Sequence, residues 1–142
     1  MILKRKLLIA VVLLVSSQSV FAEEIIVNAE RQFDKLTKTT VRAMFAMRIH
    51  QWSDGTPVTV YVLKDNNPIH ITFCKTLLGM FPYQLRKIWD RQIFSGTGVG
   101  PIQLNTEKEM IQAIADNKGA IGYISSTADT NSHSISTVEV IK

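Results

Sequence analysis

The chain has 142 residues, 46% of them hydrophobic, with 16 basic and 12 acidic side chains and a single cysteine. One cysteine excludes an internal disulfide framework, and the balance of apolar and charged residues is that of a globular domain rather than a disordered or fibrous one. Much of the positive excess sits at the start, where Lys4, Arg5 and Lys6 precede an unbroken apolar run from Leu7 to Val15, and Val20-Phe21-Ala22 offers a cleavage site before Glu23. Residues 1 to 22 read as a secretory signal peptide; the apolar run is short of the roughly 20 residues that a membrane span needs. Without it the formal charge falls from +4 to +1, which gives no electrostatic ground for nucleic-acid binding. Residues 23 to 142 suit one domain with one core, in a protein exported to the periplasm by a cleaved signal.

In chain order, Ile25-Ile26-Val27 is a β-branched run that predicts a buried first strand over 24–28. Thr37 is placed as an N-cap, with Leu36 and Val41 as a hydrophobic staple and Val41, Met44 and Phe45 as the inward face of a helix ending near Ala46. Trp52-Ser53-Asp54-Gly55 is a turn, followed by a valine-rich strand from Pro57 to Leu63. Asn67 and Pro68 form a helix start, with Ile69, Phe73 and Leu77 as the expected inward stripe and Gly79 as the stop. Pro82 opens another helix, with Leu85, Ile88, Trp89 and Ile93 on one face and Arg86, Lys87 and Arg91 off it. After a glycine-rich turn from Ser95 to Gly100, a short strand spans 101–104.

Asn105 or Thr106 then caps a helix, Thr106-Glu107-Lys108-Glu109 matching a capping box. Met110, Ile111 and Ile114 recur at helical spacing, and Gly119 is expected in the left-handed conformation that commonly ends a helix. Gly119-Ala120-Ile121-Gly122-Tyr123-Ile124 reads as that stop followed by a buried strand. A polar loop from Ser125 to Ser136 precedes a last strand, edge or returning, at 138–141. The alternation of strands and helices predicts an α/β fold with a mixed, mostly parallel sheet and helices on both faces.

The wording of Gly119 to Tyr123 resembles the Gly-Ala-Ile-Gly-Tyr element of the phosphate-type solute-binding proteins of ABC uptake systems, members of the type 2 periplasmic-binding-protein superfamily. Weaker matches fall in the same order: Ile49 to Gly55 with Trp52, Val58 to Phe73, Trp89 and Gly96-Thr97-Gly98. The resemblance covers about one lobe of such a protein, and the chain is identified as a short, single-lobe member. It implies a periplasmic, non-enzymatic substrate-binding role without cofactor. Phosphate or another small oxyanion is the implied ligand, and a membrane transporter or another periplasmic protein the implied partner. A homodimer would be one way to supply the missing wall.

In an open α/β sheet, ligands sit at the carboxyl ends of strands, near helix N-termini. The loops there nominate Asp65, Asn66, Asn67, Asn105, Thr106 and Ser125 as ligand-binding residues. Caps and turns account for the same residue types without a ligand. The family's loop pattern is close to Arg-x-Asp-Gly-Ser-Gly-Thr. Aligned on it, this chain retains Asp65 alone: Leu63 replaces the arginine, Asn67 the serine, Pro68 a glycine and Ile69 the threonine. That erosion supports an alternative, a ligand-free protein-interaction module (sensor, adaptor or envelope component) built on a degenerate lobe.

Catalysis has no supporting motif: there is no Gly-x-Ser-x-Gly elbow and no carboxylate pair placed for acid–base work. His70 and Cys74, four apart, share a helix face, compatible with metal ligation or a thiol–imidazole contact, although two ligands do not make a metal site. Cys74 in its apolar segment reads more simply as a buried thiol.

Overall fold

The computed structural model describes residues 22–31, 35–96, 98–131 and 134–142. The expected signal peptide, apart from Ala22, lies outside the described residues, as do Thr97 of the glycine-rich turn and His133. Six strands, β1 (Glu23–Asn28), β2 (Lys35–Thr37), β3 (Thr59–Leu63), β4 (Ile102–Leu104), β5 (Ala120–Ser125) and β6 (Ile135–Ile141), form one sheet in the order β2-β6-β1-β5-β3-β4. β3 pairs parallel to both β4 and β5, and β2 parallel to β6, whereas β1 pairs antiparallel to β5 and β6. Five strands thus run one way and β1 alone runs back between two of them. The sequence expectation of a mixed, mostly parallel sheet holds; the last strand is not an edge but sits inside β2, a three-residue strand with no pattern of its own.

The helices are α1 (Lys38–Phe45), α2 (Pro68–Phe73), α3 (Pro82–Phe94) and α4 (Glu107–Asp116), and α2 runs on through a π-helical turn at Cys74–Leu78. Local chemistry explains their starts. The Thr37 hydroxyl accepts from the Thr40 N–H at 3.1 Å, the Asn67 side chain accepts from Ile69 N–H at 2.9 Å ahead of Pro68, and the Thr106 hydroxyl accepts from Glu109 N–H at 3.1 Å. At α3 the Phe81 N–H donates to the Gln84 side chain at 2.8 Å. Gly79, at φ 65°, closes the π turn in the left-handed conformation.

Alternation along β5 puts the helices on both faces. Gly122 faces α4, where an added Cβ would come 2.5 Å from Met110 Sδ and 3.1 Å from Ile114 Cδ1. Tyr123 faces the opposite way, stacked on Phe73 at 3.8 Å between centroids, with Phe45 edge-on to Phe73 at 4.8 Å. Leu85 and Trp89 of α3 are also fully buried, the Trp89 indole donating to Phe45 O at 2.7 Å. Each such large side chain contributes about 1.5–3 kcal/mol when fully buried.

Three local expectations need correction. Gly119 is not left-handed; α4 ends at an extended Asn117. Its glycine is required by close approach instead: a Cβ would lie 2.2 Å from Pro57 O, and its carbonyl accepts from the Trp52 indole at 2.9 Å. The inward stripe of α2 is also rotated. His70, Phe73, Cys74 and Leu78 are the buried residues there, while Ile69 and Leu77 only border the core; the wider π turn after Phe73 puts Leu78 rather than Leu77 inward. Ile93, expected on the inward face of α3, is 45% exposed.

Candidate functional site

Because β3, β4 and β5 are parallel, their carboxyl ends share one rim, and the reversed β1 begins on the same rim with Glu23 opposite Ser125. The structure therefore brings together all three loops that the sequence nominated. What it does with their donors was not legible. The Ser125 N–H donates to Glu107 Oε1, and the Asn105 N–H to Glu109 Oε2 at 2.8 Å. The Ile69 and Glu109 N–H groups are capped by Asn67 and Thr106. Asp65 is held by Arg86 through two bonds, from Nε at 3.0 Å and from Nη2 at 2.9 Å. The Ser125 hydroxyl lies 3.2 Å from that of Thr127. Asn66 and Asn105 are the nominated residues with exposed side chains that serve in neither a cap nor an ion pair.

Electrostatics follow from these pairings. The Arg86 hydrogen bonds hold the Asp65 carboxyl below its usual value, opposed by partial burial. Partial burial raises Glu23, the nearby Glu107 carboxylate adding to the effect. The rim is thus edged by Glu23, Asp65, Glu107 and Glu109, and only Asp65 has a guanidinium on it.

Behind Asp65, a polar chain runs into the core. Tyr123 Oη accepts from Leu63 N–H at 2.8 Å and meets His70 Nδ1 at 2.5 Å. Donation of the phenol proton to Nδ1 satisfies both groups, and on that assignment the His70 proton sits on Nε2. That nitrogen faces Cys74 Sγ at 3.5 Å and Asp65 Oδ1 at 3.9 Å. His70 is 0% exposed, and burial pulls its pKa down to about 4 against the opposing pull of Asp65. Burial pushes the Cys74 thiol up to about 12, and raises Tyr123 as well. A neutral imidazole whose lone pair is engaged, beside a thiol that stays protonated, does not make a nucleophilic pair. Among the described residues no group of three or more His, Cys, Asp or Glu could hold a metal ion. The His70–Cys74 contact is real, and it belongs to a satisfied buried network.

The sequence reading missed Glu107 and Arg86 as rim residues. Glu109 carried a signal in the capping box, whereas Glu107 reaches Ser125 across 18 positions and Arg86 reaches Asp65 across 21.

No family model matches the sequence, and no curated protein matches it significantly. Its fold is that of solved phosphate-type binding proteins. A putative phosphate ABC transporter substrate-binding protein with bound phosphate from Clostridium perfringens superposes with a TM-score of 0.66 at 18% identity, over 84% of this chain and 45% of that one. An ABC-type phosphate transport receptor from Vibrio cholerae gives 0.63 at 17% identity, over 84% and 46%. PstS from Borrelia burgdorferi gives 0.65 at 14% identity, over 84% and 47%. The chain spans under half the length of each, so it corresponds to one part of their fold.

Proposed function

We propose that this chain is an exported, non-enzymatic binding lobe of the phosphate-binding-protein fold that works by contacting a protein partner, its rim donors being already engaged by its own side chains. The observation that carries this reading is the pair of carboxylates on the rim amides, Glu107 on Ser125 N–H and Glu109 on Asn105 N–H. An oxyanion seated at either amide would have to displace a carboxylate and then face it. Two like charges 4 Å apart near a protein surface cost about 4 kcal/mol. The open rim supports the reading too, since one lobe by itself leaves a small ion in contact with water. The partner is a membrane transporter component or another periplasmic protein, with a second copy of the chain as the remaining arrangement. No helix among the described residues is long and apolar enough to cross a membrane.

A second reading keeps a small oxyanion as ligand. It is favoured by the three strand ends gathered on one rim and by the phosphate bound to the Clostridium perfringens neighbour. Thermal unfolding across a phosphate titration, with sulfate at matched ionic strength, separates the two. The interaction reading expects the same curve in both salts. A saturable shift with phosphate alone, reaching about 2.7 kcal/mol when the ligand is a hundredfold above its dissociation constant, would overturn it in favour of the second.

A further inference from the structure

The surface beside the rim carries a feature that the anion question does not touch. Between α2 with its π turn and the start of α3 lies a groove of about 630 Å³ that begins at Asp65 and Asn66. Phe81 and Tyr83 stand in it 49% and 59% exposed, their rings near-parallel at 5.8 Å between centroids. Each ring carries a lysine: Lys75 Nζ lies 5.4 Å from the Phe81 centroid and Lys87 Nζ 5.9 Å from that of Tyr83. Arg86 lies on the same wall, already bonded to Asp65 and laid over Trp89 at 4.9 Å. Among the described residues neither lysine is paired with a carboxylate. Two large exposed rings, an apolar flank at Ile71 and two uncompensated ammonium groups therefore share one concave strip.

Charge and shape together select the occupant. Two adjacent exposed rings offer an apolar contact with specific geometry to a partner's large side chain. Uncompensated lysines at their border favour a negatively charged partner and disfavour a basic one. The strip is shallow and open, and the protein-interaction reading above makes a protein segment rather than a lipid surface its occupant. The geometry points to a docking site for an acidic segment of a partner protein that carries an aromatic or large apolar side chain among its carboxylates. The apolar side chain sits on Phe81 and Tyr83, and the carboxylates meet Lys75 and Lys87. This proposal rests on the protein-interaction reading above and gives that partner its chemistry.

The test is amide chemical-shift mapping of the ¹⁵N-labelled protein with a blocked acidic nonapeptide, four Asp/Glu residues on each side of one Phe. Its controls are the same peptide with Lys/Arg in place of the acids, phosphatidylglycerol vesicles and inorganic phosphate. The expected result is saturable shifts at the amides around Ile71, Lys75, Phe81 and Lys87 with the acidic peptide and none with the basic one. The Lys75→Glu/Lys87→Glu double variant should weaken binding about tenfold, as two exposed ion pairs of about 0.7 kcal/mol each imply. Tyr83→Ser, which removes only an exposed ring, tests the aromatic half independently and should weaken it as well. No saturable shift at millimolar acidic peptide overturns the proposal. So does response of the groove amides to vesicles alone, which assigns the surface to lipid, or to protein concentration alone, which assigns it to a second copy. Phosphate-specific shifts at Asn105 and Ser125 would instead overturn the proposed function, and they are read at different amides from those of the groove.

Discussion

Lowering the pH should destabilise this protein through one buried imidazole, and the size of the effect follows from its surroundings. His70 is 0% exposed, is bonded to the Tyr123 hydroxyl at Nδ1 and faces Asp65 and Cys74 with Nε2. Its pKa is about 4 in the folded protein against an ordinary histidine value of 6.5. The depressed value means that the unfolded chain binds a proton that the folded one refuses between those limits. Stability therefore falls as pH drops from about 6.5 toward 4, and is unaffected by this group above that range. Linkage over that interval gives a loss of about 2 kcal/mol between pH 7 and pH 5, and about 3 kcal/mol once both states are protonated. Asp65 and Arg86 act on the imidazole in opposite senses. The paired Asp65 carboxyl, held below its usual 3.8, withdraws its own contribution only at lower pH. Urea unfolding followed by the fluorescence of Trp52 and Trp89 at pH 7 and pH 5 measures the difference. His70→Asn, whose side-chain oxygen can still accept the Tyr123 proton, supplies the reference. It should lose about 2 kcal/mol less than the wild type over the same interval. Equal losses in the two proteins, or an imidazole that titrates near its ordinary value by NMR, would refute the reasoning.

Gly119→Ala should cost about 3 kcal/mol, because the new methyl would sit 2.2 Å from a backbone oxygen at Pro57 that cannot swing aside; a melting temperature within a degree of wild type would contradict that contact. Thr106→Ala removes the cap of α4 and should lower stability by about 1 kcal/mol in urea titrations, with the loss visible as faster amide exchange at Glu109. Cys74, buried with its pKa pushed up to about 12, should resist a thiol reagent in the native state and react fully in denaturant.

Where the sequence was legible, the signal was local. Thr37, Asn67 with Pro68, and Thr106 with Glu109 each announce a helix start within four residues, and all three caps form as read. Gly119 shows the limit of that logic. A glycine after a helix is commonly a left-handed stop, yet here the residue that requires it is Pro57, more than sixty positions earlier. The same limit governs the candidate site. Parallel strands gather the loops, which alternation of strand and helix foretells, but the filling of their donors by Glu107 and Arg86 depends on where distant helices come to rest. The π turn at Cys74–Leu78 had no recognisable cue, and it decides that Leu78 rather than Leu77 points into the core.

The lone reversed strand also bears on how the chain reaches its native state. β1 is the first strand in sequence, yet its two neighbours are β5 and β6, the last two, with Ile25 paired to Tyr123 on one side and Val138 on the other. No N-terminal portion of the chain can complete the centre of the sheet. Loop closure across nearly the whole domain must precede the contacts that reward it, which makes folding slow relative to local collapse. A chain so wired cannot close its native sheet until β5 and β6 are present. If it is exported as proposed, that delay favours passage through a translocation pore before the sheet closes.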